Sequence, residues 1–362
     1  MSYEPHAPYP PPGGSVPPPP GHPFPGPPPT GTAPATRTPR PPGAPGPWGP
    51  PPAQPGVVPL RPLTLGDLLG GAVQTIRRSP GATVGTALLV TALFMLVPVL
   101  ASVALGLSGV GGEFDLASTE DPFDGAGGTA YYGIAVLSGL LGALASVVIS
   151  GLMARVVGAA VVGRPMRAGE AWRRTRGRVL ALVGLSLLGG LATLLLLALP
   201  VGTGAAAYAV SGSVALGVAL GLVLLLVAVV AVVWLWTRWL LLAAPALVLE
   251  DLGLGAALRR AHVLSAGQFW RLFGIALLAA MLANVVAQVV AIPFTVVGFV
   301  LAFLVPTGWA LPAMLLSSNV AAVLTGGLVG PFSAGVTGLQ YVDQRFRKEG
   351  LDITLLDETL RR

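Results

Sequence analysis

Taken as a string of apolar and polar positions, the chain alternates long apolar blocks with short arginine-bearing segments. No Asp, Glu, Lys, Arg or His occurs from Val179 to Thr237 or from Leu272 to Val342, and runs of that length point to a hydrocarbon solvent. Six spans are predicted, at about 82–105, 133–154, 179–199, 214–236, from 272 to Pro293, and 313–339. Pro200 is expected to stop the third span, leaving fourteen uncharged residues to link it to the fourth. Residues 294–305 add twelve apolar positions, too few to cross alone. They read as a kinked continuation of span five or as a half-inserted segment, before a turn at 306–312 that carries Trp309.

On one side of these spans the apolar period changes to that of an amphipathic helix. Thr64-Leu65-Gly66-Asp67 has the form of a capping box, and Leu65, Leu68, Leu69, Ala72, Val73 and Ile76 fall on one helical face. Arg77 and Arg78 follow at its end, and Ser79-Pro80 breaks it. A second such elbow is expected at 166–178, with Trp172, Arg173 and Arg174. The third lies in the stretch 236–278, around which the rest is organised: Asp251 is placed to cap a helix with Leu254, Ala257, Leu258, Ala261 and Leu264 on one face and Arg259 and Arg260 on the other. Gly267 ends it, and Phe269-Trp270-Arg271 leads back into the bilayer, while Trp234, Trp236 and Trp239 mark the preceding exit. The predicted fold is therefore an all-α integral membrane protein. Its six transmembrane helices form three repeats of an amphipathic interfacial helix plus a helical hairpin. Gly217 with Gly221, and Gly81 with Gly85, are candidate points of close helix approach.

Composition agrees, with 53% hydrophobic and 10% charged residues. Residues 1–59 hold 25 of the 36 prolines and almost no aliphatic side chains, the composition of a disordered cytoplasmic tail with polyproline II stretches able to dock a cytoplasmic protein. Residues 60–342 form the expected membrane domain, and 343–362 a charged cytoplasmic tail. With six spans, all 21 Lys and Arg fall on one side, which the positive-inside rule makes cytoplasmic, together with both termini. The loop after the first span carries Glu113, Asp115, Glu120, Asp121 and Asp124 and no base, and is placed outside. A net charge of +6 flanking apolar spans points to anionic lipid as partner and not to nucleic acid.

The positions Arg238-Trp239, Pro245, Glu250, Ala257-Leu258-Arg259-Arg260 and Phe269-Trp270-Arg271 resemble the membrane domain that accompanies glycerophosphoryl diester phosphodiesterases. The alanine-, glycine- and arginine-rich usage resembles that of actinobacterial chains. The catalytic barrel of that family has no counterpart here, so its phosphodiesterase activity is not expected.

Candidate chemistry is sparse. The histidines are His6, His22 and His262, no cysteine exists, and no metal-ligand spacing, phosphate loop or catalytic triad is evident, so no cofactor, metal or catalytic residue is expected. Within the spans, Asn284 and Gln288 share a helix face, and Gln288 is expected to lie near the depth of Asn319 and to bond across helices or meet a polar substrate. Buried ionisable relays, the usual mark of coupled carriers, are missing from the spans. The expected function is a non-enzymatic membrane scaffold of a bacterial plasma membrane. Arg77, Arg78, Arg173, Arg174, Arg259, Arg260 and Arg271 contact anionic headgroups, with Trp172, Trp239 and Trp270 as interfacial anchors. The alternative is a transporter or lipid translocator built from the three repeats.

Overall fold

The computed structural model describes residues 56–110, 125–306 and 308–351. Most of the proline-rich segment, the five outer carboxylates, His6, His22 and residues 352–362 lie outside the described residues. Among the described residues there is no strand. Six helical stretches, Gly81–Leu107, Gly125–Val161, Ala168–Ser211, Val214–Leu249, Phe269–Leu304 and Ala310–Glu349, are long and apolar enough to cross a membrane. The chain is a multi-pass membrane protein.

The order is elbow, hairpin, three times over. Helix α1 (Leu65–Arg78) precedes α2 (Thr86–Leu107) and α3 (Gly125–Val161); α4 (Ala168–Thr175) precedes α5 (Val179–Ser211) and α6 (Val214–Leu235). After α7 (Ala243–Leu249), α8 (Leu254–Ser265) precedes α9 (Phe269–Leu304) and α10 (Ala310–Glu349). Helix α1 starts where its capping box requires: the Asp67 amide donates to Thr64 Oγ1 at 3.2 Å, and the Thr64 amide to Asp67 Oδ2 at 2.9 Å. Its apolar face buries Leu68 and Ala72 against α10.

Helix α10 is the central element, packed on α9, α3, α2 and α1. Glycines let it approach closely: Gly326 faces Thr91 and Gly327 faces Leu88 on the antiparallel α2, while Gly330 faces Ile149 and Gly338 faces Val157 on the parallel α3. This register gathers α1, α4, α8 and the last turns of α10 at one end of the protein, together with every described Lys and Arg. The α5–α6 hairpin closes on itself through Gly204, Gly217 and Gly221, so the Gly217–Gly221 spacing does mark a contact. Gly81 and Gly85 instead bound a π-helical turn, and nothing lies within 4 Å of a Cβ added at Gly81.

Several boundaries differ from the sequence reading. Pro200 does not stop the third span, because in hydrocarbon the freed backbone has no water to turn to and the helix persists to Ser211. The link to α6 is only Gly212, at φ 65, and Ser213, whose Oγ accepts from the Leu216 amide. Pro293 likewise lies inside α9, so residues 294–304 continue span five and are not half-inserted. The fourth apolar stretch also does not end at Trp236 but runs on to Leu249. A π-helical turn, Trp236–Leu240, leads into α7, where Ala243, Ala246, Leu247 and Val248 are wholly buried. Residues 56–63 pack too: Val57, Val58, Leu60 and Leu63 are buried, and the Val57 amide donates to the Ala160 carbonyl. At the other end α10 continues to Glu349, seven residues beyond position 342.

Candidate functional site at the basic end

Three carboxylates organise the end where the elbows collect. Asp343 of α10 is 1% exposed and accepts from the Leu63 amide at 2.7 Å, from Arg271 at 2.7 Å and from Arg347, one turn on, at 3.0 Å. Arg271 and Arg347 also donate to the Leu63 carbonyl. One side chain thus ties the segment before α1, the start of α9 and the end of α10.

Glu250, between α7 and α8, receives three hydrogen bonds from the Arg260 guanidinium, at 2.8, 2.9 and 3.1 Å, and one from the Tyr341 hydroxyl. Arg260 extends to Glu349, which also pairs with Arg345. Burial on its own would raise the Glu250 carboxyl, but the hydrogen bonds from Arg260 and Tyr341 and the charges of Arg260 and Arg345 outweigh it and hold the group below the usual carboxylate range. A folded-state acid stronger than the unfolded one stabilises fully above the ordinary carboxylate pKa and loses that contribution as pH falls through the lower folded value. The unfolding temperature of the detergent-solubilised protein should therefore drop on acidification through that window. The drop should be smaller in Glu250→Gln; an identical pH profile would show that this cluster does not couple to folding.

Asp251 does not cap α8. It stands at φ 52, the N-cap is Gly253 with no side-chain bond, and the Asp251 carboxylate turns to Arg155 of α3 at 2.6 Å and Arg178 at 3.7 Å. With the cap at Gly253, Asp251 lies two residues ahead of the position whose side chain reaches the N2 and N3 amides. Arg178 adds bonds to the Asp251 and Leu252 carbonyls. Arg238 meets His262 Nε2 at 3.4 Å, Trp239 stacks on the His262 ring at 4.3 Å, and Lys348 donates to the Val263 and Ala266 carbonyls that end α8.

This geometry divides the seven arginines expected at headgroups. Arg260 and Arg271 are held within protein ion pairs. Arg174 pairs with Glu170 on its own helix at 2.7 Å while staying exposed. Arg77, Arg78, Arg173 and Arg259 are exposed and form no ion pair among the described residues. Trp172 and Trp270 are exposed, whereas Trp239 is half-buried against His262.

The intramembrane amides also part company. Gly298 of α9 packs on Ser317 of α10, and Gln340 donates to the Leu272 carbonyl, a register that sets Asn319 opposite residues 293–296, more than a turn beyond Gln288. Asn319 is buried and its Nδ2 has no partner among the described residues. Asn284 and Gln288 are exposed on α9. The expected bond between Gln288 and Asn319 is therefore not formed.

Above the ion pairs lies a cavity of about 600 Å³ between α3, α5, α9, α10 and the π-helical turn. Its wall is mostly apolar and carries the hydroxyls of Ser146, Ser150, Ser186, Thr325, Ser333 and Thr337. Trp236 closes one side and donates its indole N–H to Thr193 at 2.9 Å. Among the described residues no group of three His, Asp or Glu could hold a metal. No family model, curated protein or solved structure matches the chain.

Sequence reasoning missed Asp343, Arg155 and Arg178 as members of this site. Asp343 had a signal, an acid one helical turn before Arg347 at the end of an apolar run. The joining of Arg155 to Asp251 had none, since 96 residues separate them.

Proposed function

We propose that the chain is a non-enzymatic scaffold of a bacterial plasma membrane whose basic end faces the cytoplasm and holds anionic lipid headgroups. On this reading the proline-rich segment takes up a cytoplasmic protein, and the protein is related to the membrane domain that accompanies glycerophosphoryl diester phosphodiesterases. The observation that carries it is the partition of charge. Asp343, Glu250 and Asp251 are already engaged by Arg271, Arg260 and Arg155, so Arg77, Arg78, Arg173 and Arg259 are left exposed, spread over three elbows. Each basic group near an anionic surface contributes about 1 kcal/mol, roughly fivefold in lipid occupancy.

Changing Arg77, Arg78, Arg173, Arg174 and Arg259 together to glutamine, with Arg260 and Arg271 kept, should cut co-purifying anionic lipid severalfold at unchanged fold. Undiminished lipid would remove the proposal. Because the chain has no cysteine, single cysteines near 120 and 170 report orientation: the first should label from the periplasm and the second only from the cytoplasm. The second reading, a lipid translocator, is favoured by the hydroxyl-bearing cavity between α3, α5 and α10. Lipid flux in liposomes that stops on Ser150→Leu, at unchanged unfolding temperature, would select it over the scaffold.

A further inference from the structure

We propose that two copies of this chain associate within the membrane along α9, with Asn284 and Gln288 of one copy hydrogen-bonded to the same residues of the other. Helix α9 packs chiefly on one neighbour, α10. Its opposite side presents Leu277, Met281, Asn284, Gln288 and Thr295, all exposed, with Ala291 half-buried between the last two. This stripe recurs every three or four residues, the repeat of a helix seam.

Depth makes the two amides matter. The Arg271–Asp343 ion pair fixes the start of α9 at the polar end. At about 1.5 Å per residue, Asn284 and Gln288 lie roughly 20 and 25 Å along the helix from Arg271, within a hydrocarbon slab of about 30 Å. Neither side chain makes a hydrogen bond among the described residues. Lipid tails offer no donor or acceptor, and a carboxamide left unbonded in hydrocarbon is costly. The Asn284 side chain is too short and too deep to reach either headgroup layer.

The chemistry of the stripe selects its occupant. A carboxamide carries donors and an acceptor together, so it is complementary to itself. Copies of one chain inserted in one membrane share an orientation, and a twofold axis relating them runs along the membrane normal. The two α9 helices are then parallel, and residues of the same number meet at the axis. Ala280 below the amides and Ala291 above them are small enough to let the backbones approach. A second copy therefore satisfies both amides at once, as a buried asparagine does in a parallel two-helix seam.

The test uses the full chain in membranes. Ala280→Cys and Ala291→Cys, in a sequence with no other cysteine, should each give an oxidised dimer, whereas Leu191→Cys on the exposed side of α5 should not. Native mass spectrometry from nanodiscs should show twice the chain mass. Asn284→Leu with Gln288→Leu should weaken the dimer about tenfold or more while leaving the unfolding temperature of the monomer unchanged. Monomer mass for the unaltered chain would overturn the proposal, as would cross-linking that survives the double leucine change or an assembly with a different protein on α9. So would a loss of monomer stability in the double variant, because the amides would then be bonded inside one chain.

Discussion

Asp343→Ala should destabilise the protein by about 3 kcal/mol, the low end of the roughly 3–5 kcal/mol expected when one partner of a buried ion pair is removed. The carboxylate is 1% exposed, and its loss would strand Arg271 and Arg347, which are 28% and 30% exposed and so keep some solvation. It would also release the Leu63 amide, the tie that holds the segment before α1. Two measurements check this: a lower unfolding midpoint in detergent, and faster proteolysis around residues 56–63 in the native state. Arg271→Gln should show a smaller loss of the same kind, because Arg347 still neutralises Asp343. Arg259→Gln, at an exposed and unpaired position, should show none. If Asp343→Ala unfolds at the temperature of the unaltered chain, the three segments are held by packing alone.

The contrast between Arg259 and Arg260 shows where the sequence stops being legible. Neighbouring arginines on one elbow have opposite fates, one exposed and one bonded to Glu250 and Glu349. The partner of a charge is a matter of tertiary approach, and Arg271 finds its carboxylate 72 residues away. The six spans and the α1 capping box were readable because hydropathy and cap chemistry act over neighbouring residues. Helix α7 was not, since an alanine- and leucine-rich run looks the same whether protein or lipid surrounds it. Depth across helices failed for a related reason: Gln288 and Asn319 were placed by counting from assumed span ends, and α9 and α10 each extend several residues further than those ends. The glycine pair on α6 was legible as spacing, but its partner on α5 was hidden by the expectation that Pro200 ended that helix.

Gly204→Leu should open the α5–α6 hairpin. A Cβ at Gly204 would lie 2.9 Å from the Gly217 carbonyl oxygen and 3.3 Å from the Gly221 Cα, both backbone atoms that cannot rotate away. Gly217 is in the converse position, with the Gly204 carbonyl oxygen at 2.8 Å and the Tyr208 Cβ at 3.0 Å. Overpacking of this kind costs about 1–3 kcal/mol, and here the strain cannot be spread, because α6 packs chiefly on α5 and the turn that follows it. The hairpin has no hydrophobic reason to close, lipid being as apolar as leucine, so close backbone approach is what holds it. Paired spin labels at the inner ends of α5 and α6, away from the two-residue turn, should move apart in Gly204→Leu and stay together in Gly190→Leu, a glycine with no described atom within 4 Å of an added Cβ. An unchanged distance in the first variant would mean that the turn at Gly212 and Ser213, rather than the glycine contact, sets the geometry of the hairpin. The basic end should keep its lipid in either case, since about seven helical turns of α5 separate Gly204 from the elbow that carries Arg173 and Arg174. The same pair of variants therefore separates what shapes the membrane hairpin from what binds at its foot.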